Sequence, residues 1–330
     1  MCTGIRLKAQ NGAVVYARTL EFARDLASNI IVIPRNYQFI GTSPASKPEG
    51  LQWRSRYAVV GANAFDIVGI IDGVNERGLA GGLFYFPEYA QYQVVSPDQV
   101  ADSIAPWELI TWLLSNFATI DEVRKALPKI RISNAIWPAW GITPPVHAIV
   151  HDAAGNSLVI EYVGGNLVMT DNPLGVFTNA PTFDWHITNL RNYINLSVLS
   201  VPKVQIGAIN LGPLGQGSGL LGLPGDFTSP SRFVRATVFA QGTKEIKSEQ
   251  EAVSRAFHIL NLFDIPLGSV RQKEGGEVEY EFTQWTSASD LHNKRYYYHT
   301  YNDRTPRMVD LMRMEITSDK PTTLSLETGS

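Results

Sequence analysis

The sequence predicts an α+β protein in which layers of helix lie outside stacked, mostly antiparallel sheets. Turn signals at Asn11-Gly12, Ala154-Gly155-Asn156 and Gly164-Gly165-Asn166 join strand candidates that are neighbours along the chain, and strands joined so tightly pair antiparallel. The helical stretches come in two pairs set between blocks of strands. Strict strand–helix alternation, which a doubly wound parallel sheet requires, is absent.

The elements follow in order. Residues 4–22 read as a hairpin: GIRLKAQ alternates, Asn11-Gly12 signals a two-residue turn, and AVVYARTLEF returns as the second strand. This sets Cys2 at the open end of the first strand and brings Arg18 back to its side without long-range assembly. NIIVIPRN (29–36) and RYAVVGANAF (56–65) are further strands, joined by the polar GTSPASKPEGL. FDIVGIIDGVNERGLAGGLFYFP (65–87) reads as strand, turn, strand, and its Ala80-Gly81-Gly82 implies close backbone packing. Two helices come next. PWELITWLLSNFA (106–118) carries Pro106 in its first turn, and the capping box Thr119-x-x-Glu122 opens TIDEVRKAL, which Pro128 stops. VHAIVHD, SLVIEYV and LVMTD form a β-meander. Residues 200–230, rich in Gly, Pro and Leu, read as an ordered excursion outside the core. SPSRFVRATVFAQ begins a second helix pair at Ser229-Pro230, and Ser248-x-x-Glu251 caps EAVSRAFHILNLF. VEYEFTQWTSASD and KRYYYHTYN return as strands with a turn near His292-Asn293, and the tail is extended. Length alone allows one large domain or two; with no linker or internal repeat, one domain over 1–330 is expected.

Composition narrows the function classes. A hydrophobic content of 44% with 18% charged residues fits a globular chain with a sizeable core. A net charge of −3 makes no electrostatic case for nucleic acid or an anionic membrane. No apolar run approaches the roughly 20 residues that span a bilayer. No signal peptide is visible, so the chain as written reads as cytoplasmic; a periplasmic enzyme whose signal had been replaced by a start methionine would look the same. One cysteine excludes an intramolecular disulfide framework and a thiolate zinc site.

That cysteine is Cys2, directly behind Met1. Once Met1 is removed, one residue carries both a thiol, the nucleophile, and a free α-amine, a base poised near neutral pH. The amine can take the thiol proton directly or through one water, so no histidine partner is needed. A neighbouring cation such as Arg18 favours the reactive thiolate. The bland alternative is an incidental cysteine.

Other motifs carry less. Gly217-Ser218-Gly219-Leu220-Leu221-Gly222 matches the dinucleotide pattern G-x-G-x-x-G, but Pro224 and Gly225 follow at once where a helix should open. His147 and His151 are four apart in a strand, without the glutamate of H-E-x-x-H. No metal or cofactor is expected. A papain-like Cys–His dyad lacks the local cysteine signature of that class, and His258, inside an amphipathic helix, reads as packing or surface rather than base. Asn195-Leu196-Ser197 is a glycosylation sequon only in a secretory context. Of the abundant aromatic residues, Phe65, Tyr85 and Trp137–Trp140 are candidates for an apolar acyl pocket, and the rest for core or subunit interface.

Met-Cys-Thr-Gly, Ala17-Arg18-Thr19-Leu20-Glu21, IPRN at 33–36, Asp72-Gly-x-Asn75-Glu-x-Gly-Leu79, Thr178-Asn179-Ala-Pro-Thr-Phe-Asp-Trp185 and the run from Leu214 through Asp226 to Arg232-Phe together resemble the choloylglycine hydrolase family. That family contains bile salt hydrolases and penicillin V acylases, and the likeness runs from residue 2 to at least Tyr301. It implies an N-terminal nucleophile hydrolase, a four-layer αββα sandwich, a homotetramer, and cofactor-free hydrolysis of a linear, non-peptide amide through a thioester. By motif, Cys2 is nucleophile and base, Arg18 and Arg232 flank it, and Asn179 is an oxyanion donor. A backbone donor comes from the position of Tyr85, and Glu21 stands where many members have the aspartate that orients the amine. Tyr85 occupies a place that is Asn in many bile salt hydrolases and Tyr in some penicillin V acylases. A penicillin V acylase-like substrate is therefore expected. Conjugated bile salts and acyl-homoserine lactones are the alternatives, and a binding protein on an inactive hydrolase scaffold is the non-enzyme reading.

Overall fold

The computed structural model describes residues 1–138, 140–274 and 276–327; the last three residues of the expected 1–330 domain lie outside the described ones. The chain opens with β1 (Cys2–Lys8) and β2 (Val14–Phe22), antiparallel in the register Cys2↔Leu20 and Gly4↔Arg18. Their turn is longer than the two residues expected. Ala9 and Ala13 close it, the Gly12 N–H donates to the Ala9 carbonyl at 3.0 Å, and Gly12 takes φ +85°. This three-residue loop needs a left-handed third residue, which glycine supplies without a Cβ clash.

β3 (Asn29–Ile33), β4 (Val59–Ala62), β5 (Asp72–Asn75) and β6 (Ala80–Tyr85) follow. The apolar runs 56–65 and 65–87 give shorter strands than expected, because Phe65 and Asp66 take φ of +51° and +53° and turn the chain out of the ladder. The polar connection after β3 forms a small hairpin of its own, Gln38–Ile40 with Gln52–Arg54. α1 (Leu109–Asn116) continues a 3-10 turn begun at Pro106, and α2 (Ile120–Ala126) is capped by Thr119 as its sequence implies. The meander is β7 (Val146–His151), β8 (Ser157–Val163) and β9 (Asn166–Asp171). α3 (Phe183–Asn189) escapes sequence reading: seven residues are too few for a helical period to show. The excursion contains an exposed hairpin, Val204–Ile206 with Ile209–Leu211. α4 (Ser229–Gln241) and α5 (Glu249–Leu260) stand where expected. β10 (Val270–Glu274) is a polar edge strand with no apolar alternation to announce it. β11 (Glu277–Asp290), β12 (Arg295–Thr300), β13 (Arg307–Asp310) and β14 (Thr322–Ser325) complete the sheets.

One sheet runs β1-β2-β11-β12-β13 with β10 on β11; the other runs β9-β8-β7-β6-β5-β4-β3-β14. α4 and α5 pack on the first sheet and α1 on the second, while β5 meets β11 and β12 across the interior. The layers are helix, sheet, sheet, helix. β2 is buried on both faces over almost its whole length, so polar residues such as Arg18, Thr19 and Glu21 are carried into the interior along with its apolar ones. The close packing expected at Ala80-Gly81-Gly82 is present. A Cβ on Gly82 would lie 2.6 Å from the Tyr16 hydroxyl and 2.8 Å from Asp72 Oδ1.

Candidate active site

Two charged residues, Arg18 and Glu21, are fully buried in β2, and buried charge persists only where partners compensate it. Arg18 Nη2 donates to Cys2 Sγ at 2.7 Å and Nη1 to the Leu83 carbonyl at 2.6 Å. Its guanidinium lies 4.2 Å from the centre of the Phe84 ring. Burial opposes its charge, but Cys2, Tyr16, Asp72 and Glu21 together hold its pKa above the usual value. The hairpin alone brings Arg18 to Cys2, as the sequence implies.

Residues distant in sequence close the site from the other side. Asn179, at the end of an extended segment that bridges Gly4 to Phe177, accepts through Oδ1 from the Cys2 N–H at 2.8 Å and from Arg232 Nη2 at 2.8 Å. Its Nδ2 donates to the Tyr85 carbonyl at 2.7 Å. The two donors on one side and the carbonyl on the other fix which way the amide faces, and leave Nδ2 a second hydrogen. Arg232, in the first turns of α4, also donates to the Cys2 carbonyl, to Thr3 Oγ1 at 2.9 Å and, through Nε, to the Phe227 carbonyl at 2.8 Å. Cys2, Arg18, Tyr85, Asn179 and Arg232 therefore meet.

Glu21 is the departure. Its carboxylate lies buried beside Cys2, with one oxygen accepting from Thr283 at 3.2 Å and the other without a partner among the described residues. Burial raises its pKa, against the opposing pull of the terminal ammonium and Arg232. The ammonium of Met1 is held by the main-chain carbonyl of Glu21 at 2.5 Å and by Glu281 at 3.4 Å, not by the Glu21 carboxylate.

Cys2 forms one wall of an apolar chamber of about 70 Å³, shared with Leu20, Phe22, Leu83 and a set of aromatic side chains. All the expected pocket aromatics, Phe65, Tyr85, Trp137 and Trp140, line it, joined by Phe22 and Trp107. Tyr85 stacks on Trp140 at 6.2 Å, and Phe65 meets Trp137 edge-on at 5.1 Å. Phe84 and Phe86, which alternate with Tyr85 along β6 and just beyond it, pack instead on His147. Beyond Phe22, Tyr85 and Trp140 lies a polar vestibule of about 570 Å³ lined by Arg24, Glu88, Glu279 and Glu281 among others.

Sequence reading missed the supports. Asp72 of the Asp72-Gly-x-Asn75 motif is fully buried and accepts from Tyr16 (2.9 Å), Ser287 (2.7 Å) and Tyr296 (2.7 Å), tying the two sheets together behind Arg18. Burial raises its pKa, and Arg18 and the three hydroxyls oppose the rise. The motif itself was the only signal for Asp72; nothing local marks Ser287 or Tyr296. The Gly217–Gly222 pattern forms a 3-10 turn at Ser218–Leu220 that opens no helix, so it offers no helix N-terminus to a pyrophosphate. His151 lies tilted against Tyr16 and has no hydrogen-bond partner among the described residues, while His147 faces Glu161.

A model of the linear amide C–N hydrolases of the choloylglycine hydrolase family matches residues 2–324. The chain belongs to that family. It is 33% identical over 315 residues to a bile salt hydrolase/transferase of Clostridium perfringens, covering 94% of this chain and 92% of that one. A penicillin V acylase of Pectobacterium atrosepticum is 26% identical, with 96% of this chain and 81% of that one covered. Among solved structures, a variant of conjugated bile acid hydrolase from Clostridium perfringens superposes with a TM-score of 0.87 at 32% identity, covering 98% of this chain and 97% of the other. The protein is thus a hydrolase of carbon–nitrogen bonds in linear amides on the N-terminal nucleophile fold.

Proposed function

We propose that the protein is a cysteine amidase of penicillin V acylase type, with Cys2 as its terminal nucleophile and an aryl-containing acyl group as its preferred substrate part. The observation that supports this best is the chamber beside Cys2: small, apolar and walled by the faces and edges of six aromatic rings. A planar aryl group suits such walls, whereas a steroid nucleus would need several rings to move. The vestibule receives the leaving amine, and Arg24 is the cation lining it that can meet a carboxylate there.

The reaction follows from the groups at hand. With Met1 removed, the α-amine of Cys2 takes the thiol proton as Sγ attacks the amide carbonyl. The C–S bond forms while the carbonyl oxygen becomes an oxyanion, which the second Nδ2 hydrogen of Asn179 and the main-chain N–H at Tyr85 stabilise. Arg18 supports the sulfur in its anionic form. The C–N bond breaks as the α-ammonium returns its proton to the leaving amine, and a thioester remains. Water, deprotonated by the same amine, then cleaves the thioester and regenerates the thiol. Met1 blocks all of this while present, since it converts the base into a peptide nitrogen.

A second substrate reading has its own support, because the bile salt hydrolase relative is more similar than the acylase, 33% against 26%. The test measures kcat/KM on penicillin V and on glycine- and taurine-conjugated bile salts with one preparation, for wild type and Tyr85→Asn. Penicillin V should win in the wild type. Tyr85→Asn should shift the ratio towards bile salts by about two- to twelvefold, the value of one aromatic pair beyond its buried area. Bile salts winning, or an unmoved ratio, refutes the aryl assignment and leaves the amidase intact. We also propose a homo-oligomer. Ile206 and Ile209 on the projecting hairpin are 62% and 61% exposed, apolar surface suited to burial against another copy.

A further inference from the structure

The segment that presents Asn179 is held at three of its main-chain polar groups by side chains. The Asn179 N–H donates to Ser229 Oγ at 2.9 Å. The Thr178 carbonyl faces His147 Nε2 at 3.1 Å, and the Asn179 carbonyl faces His186 Nε2 at 2.9 Å. Both histidines are 1% exposed, and neither has a part in the proton transfers described above.

Their protonation follows from their neighbours. His186 Nδ1 is buried without a partner among the described residues, and burial lowers the ring's pKa to about 4. The neutral ring must then carry its one hydrogen on Nε2, where it donates to the Asn179 carbonyl. His147 has an acceptor at each nitrogen: Glu161 Oε1 lies 3.1 Å from Nδ1, opposite the Thr178 carbonyl. The Thr178 carbonyl can only accept, so Nε2 carries the hydrogen of that bond. Glu161 is itself anchored by the Phe183 N–H at 3.1 Å, at the start of α3. Each imidazole plane is set by a stacked ring, Phe86 on His147 at 4.0 Å and Phe233 on His186 at 4.7 Å. Phe86 directly follows Tyr85 and Phe233 directly follows Arg232. The two histidines thus connect the Asn179 segment to the two neighbours that Asn179 must address.

We propose that His147 and His186 are positioning residues that hold the Asn179 amide where the developing oxyanion forms. This rests on the reading of Asn179 as oxyanion donor. A donor stabilises the transition state only if it is already in place, and a misplacement of about 1 Å costs up to about a hundredfold.

The test is a double-mutant cycle on the processed enzyme, using penicillin V or glycodeoxycholate, whichever the wild type turns over. His186→Ala should lower kcat by about tenfold or more with KM within about twofold, as expected when only transition-state stabilisation is lost. His186→Gln, whose amide can donate to the same carbonyl, should recover most of the loss. Alkylation of Cys2, the sole cysteine, by iodoacetamide should proceed at the wild-type rate, because the nucleophile is untouched. In an Asn179→Ala background, His186→Ala should cost no further kcat, since the group it positions is gone. An equal loss in both backgrounds, or a loss carried by KM, overturns the proposal. Should His186→Ala fail to fold, Phe233→Leu removes only the ring on which His186 stacks and enters the same cycle under the same criterion. If Asn179→Ala itself changes only KM, the oxyanion reading fails, a result separate from additivity.

Discussion

Replacing Asn179 by alanine removes three hydrogen bonds and, on the proposed mechanism, the oxyanion donor, and the two effects can be read apart. The side chain accepts from the Cys2 N–H and Arg232 and donates to the Tyr85 carbonyl. Arg232 is fully buried but keeps its bonds to Cys2, Thr3 and Phe227. The Cys2 N–H and the Tyr85 carbonyl lose their bonds to Asn179 as well, so the stability cost should be about 1–3 kcal/mol for each buried group left incompletely satisfied. The catalytic cost should be larger in its own units. Deleting one oxyanion donor typically lowers kcat by about a hundredfold or more, equivalent to about 2.7 kcal/mol of barrier. Asn179→Asp separates the contributions. It keeps an acceptor for Cys2 and Arg232 but sets an oxygen against the Tyr85 carbonyl and offers no donor. Steady-state kinetics should show kcat falling at least as far in the Asp variant as in the Ala variant, with little change in KM; thermal melts on the same samples report the stability term. A kcat within about threefold of wild type in either variant, or an effect confined to KM, would refute Asn179 as oxyanion donor.

Other expectations are simpler. Intact-mass spectrometry of active enzyme should show a chain that begins at Cys2; Cys2→Ala should fold and be inactive, and Cys2→Ser should retain little activity, because a hydroxyl is a far weaker nucleophile than a thiolate. Full activity in a preparation that retains Met1 would sink the terminal-amine mechanism. Burial raises the pKa of Glu21 in the folded state, so this group's stability contribution is best below its unfolded pKa of about 4.3 and is eroded as pH rises through the folded value. Glu21→Gln should accordingly raise Tm relative to wild type at pH 7 but not at pH 4, and a pH-independent difference would show that ionisation is not the cause. Replacing 204–211 by a short Gly-Ser linker should lower the mass found by light scattering if that hairpin joins copies; an unchanged mass would locate the interface elsewhere.

Much of this protein is readable along the chain because the signals are local. The Cys2–Arg18 contact needs only a hairpin of the right register, and an alternating strand, an Asn-Gly turn and a returning apolar run specify one. The capped helices α2 and α5 are legible for the same reason: Thr119 and Ser248 bond to N–H groups three residues on. Where local rules left a choice, packing made it. Gly12 takes a left-handed bulge rather than a tighter turn, and Phe65–Asp66 break a strand to aim a ring into the chamber. The rest depends on contacts across long stretches of chain. Asn179 and Arg232 reach Cys2 only after two sheets have stacked and α4 has docked, and their residue types alone would suit a turn and a helix surface equally well. Asp72, His147 and His186 acquire meaning only from what surrounds them: three hydroxyls, two carbonyls and two stacked phenylalanines from separate elements. A single side chain's chemistry is written in its type. Its partner, and the burial that makes the partnership matter, exist only in the assembled layers.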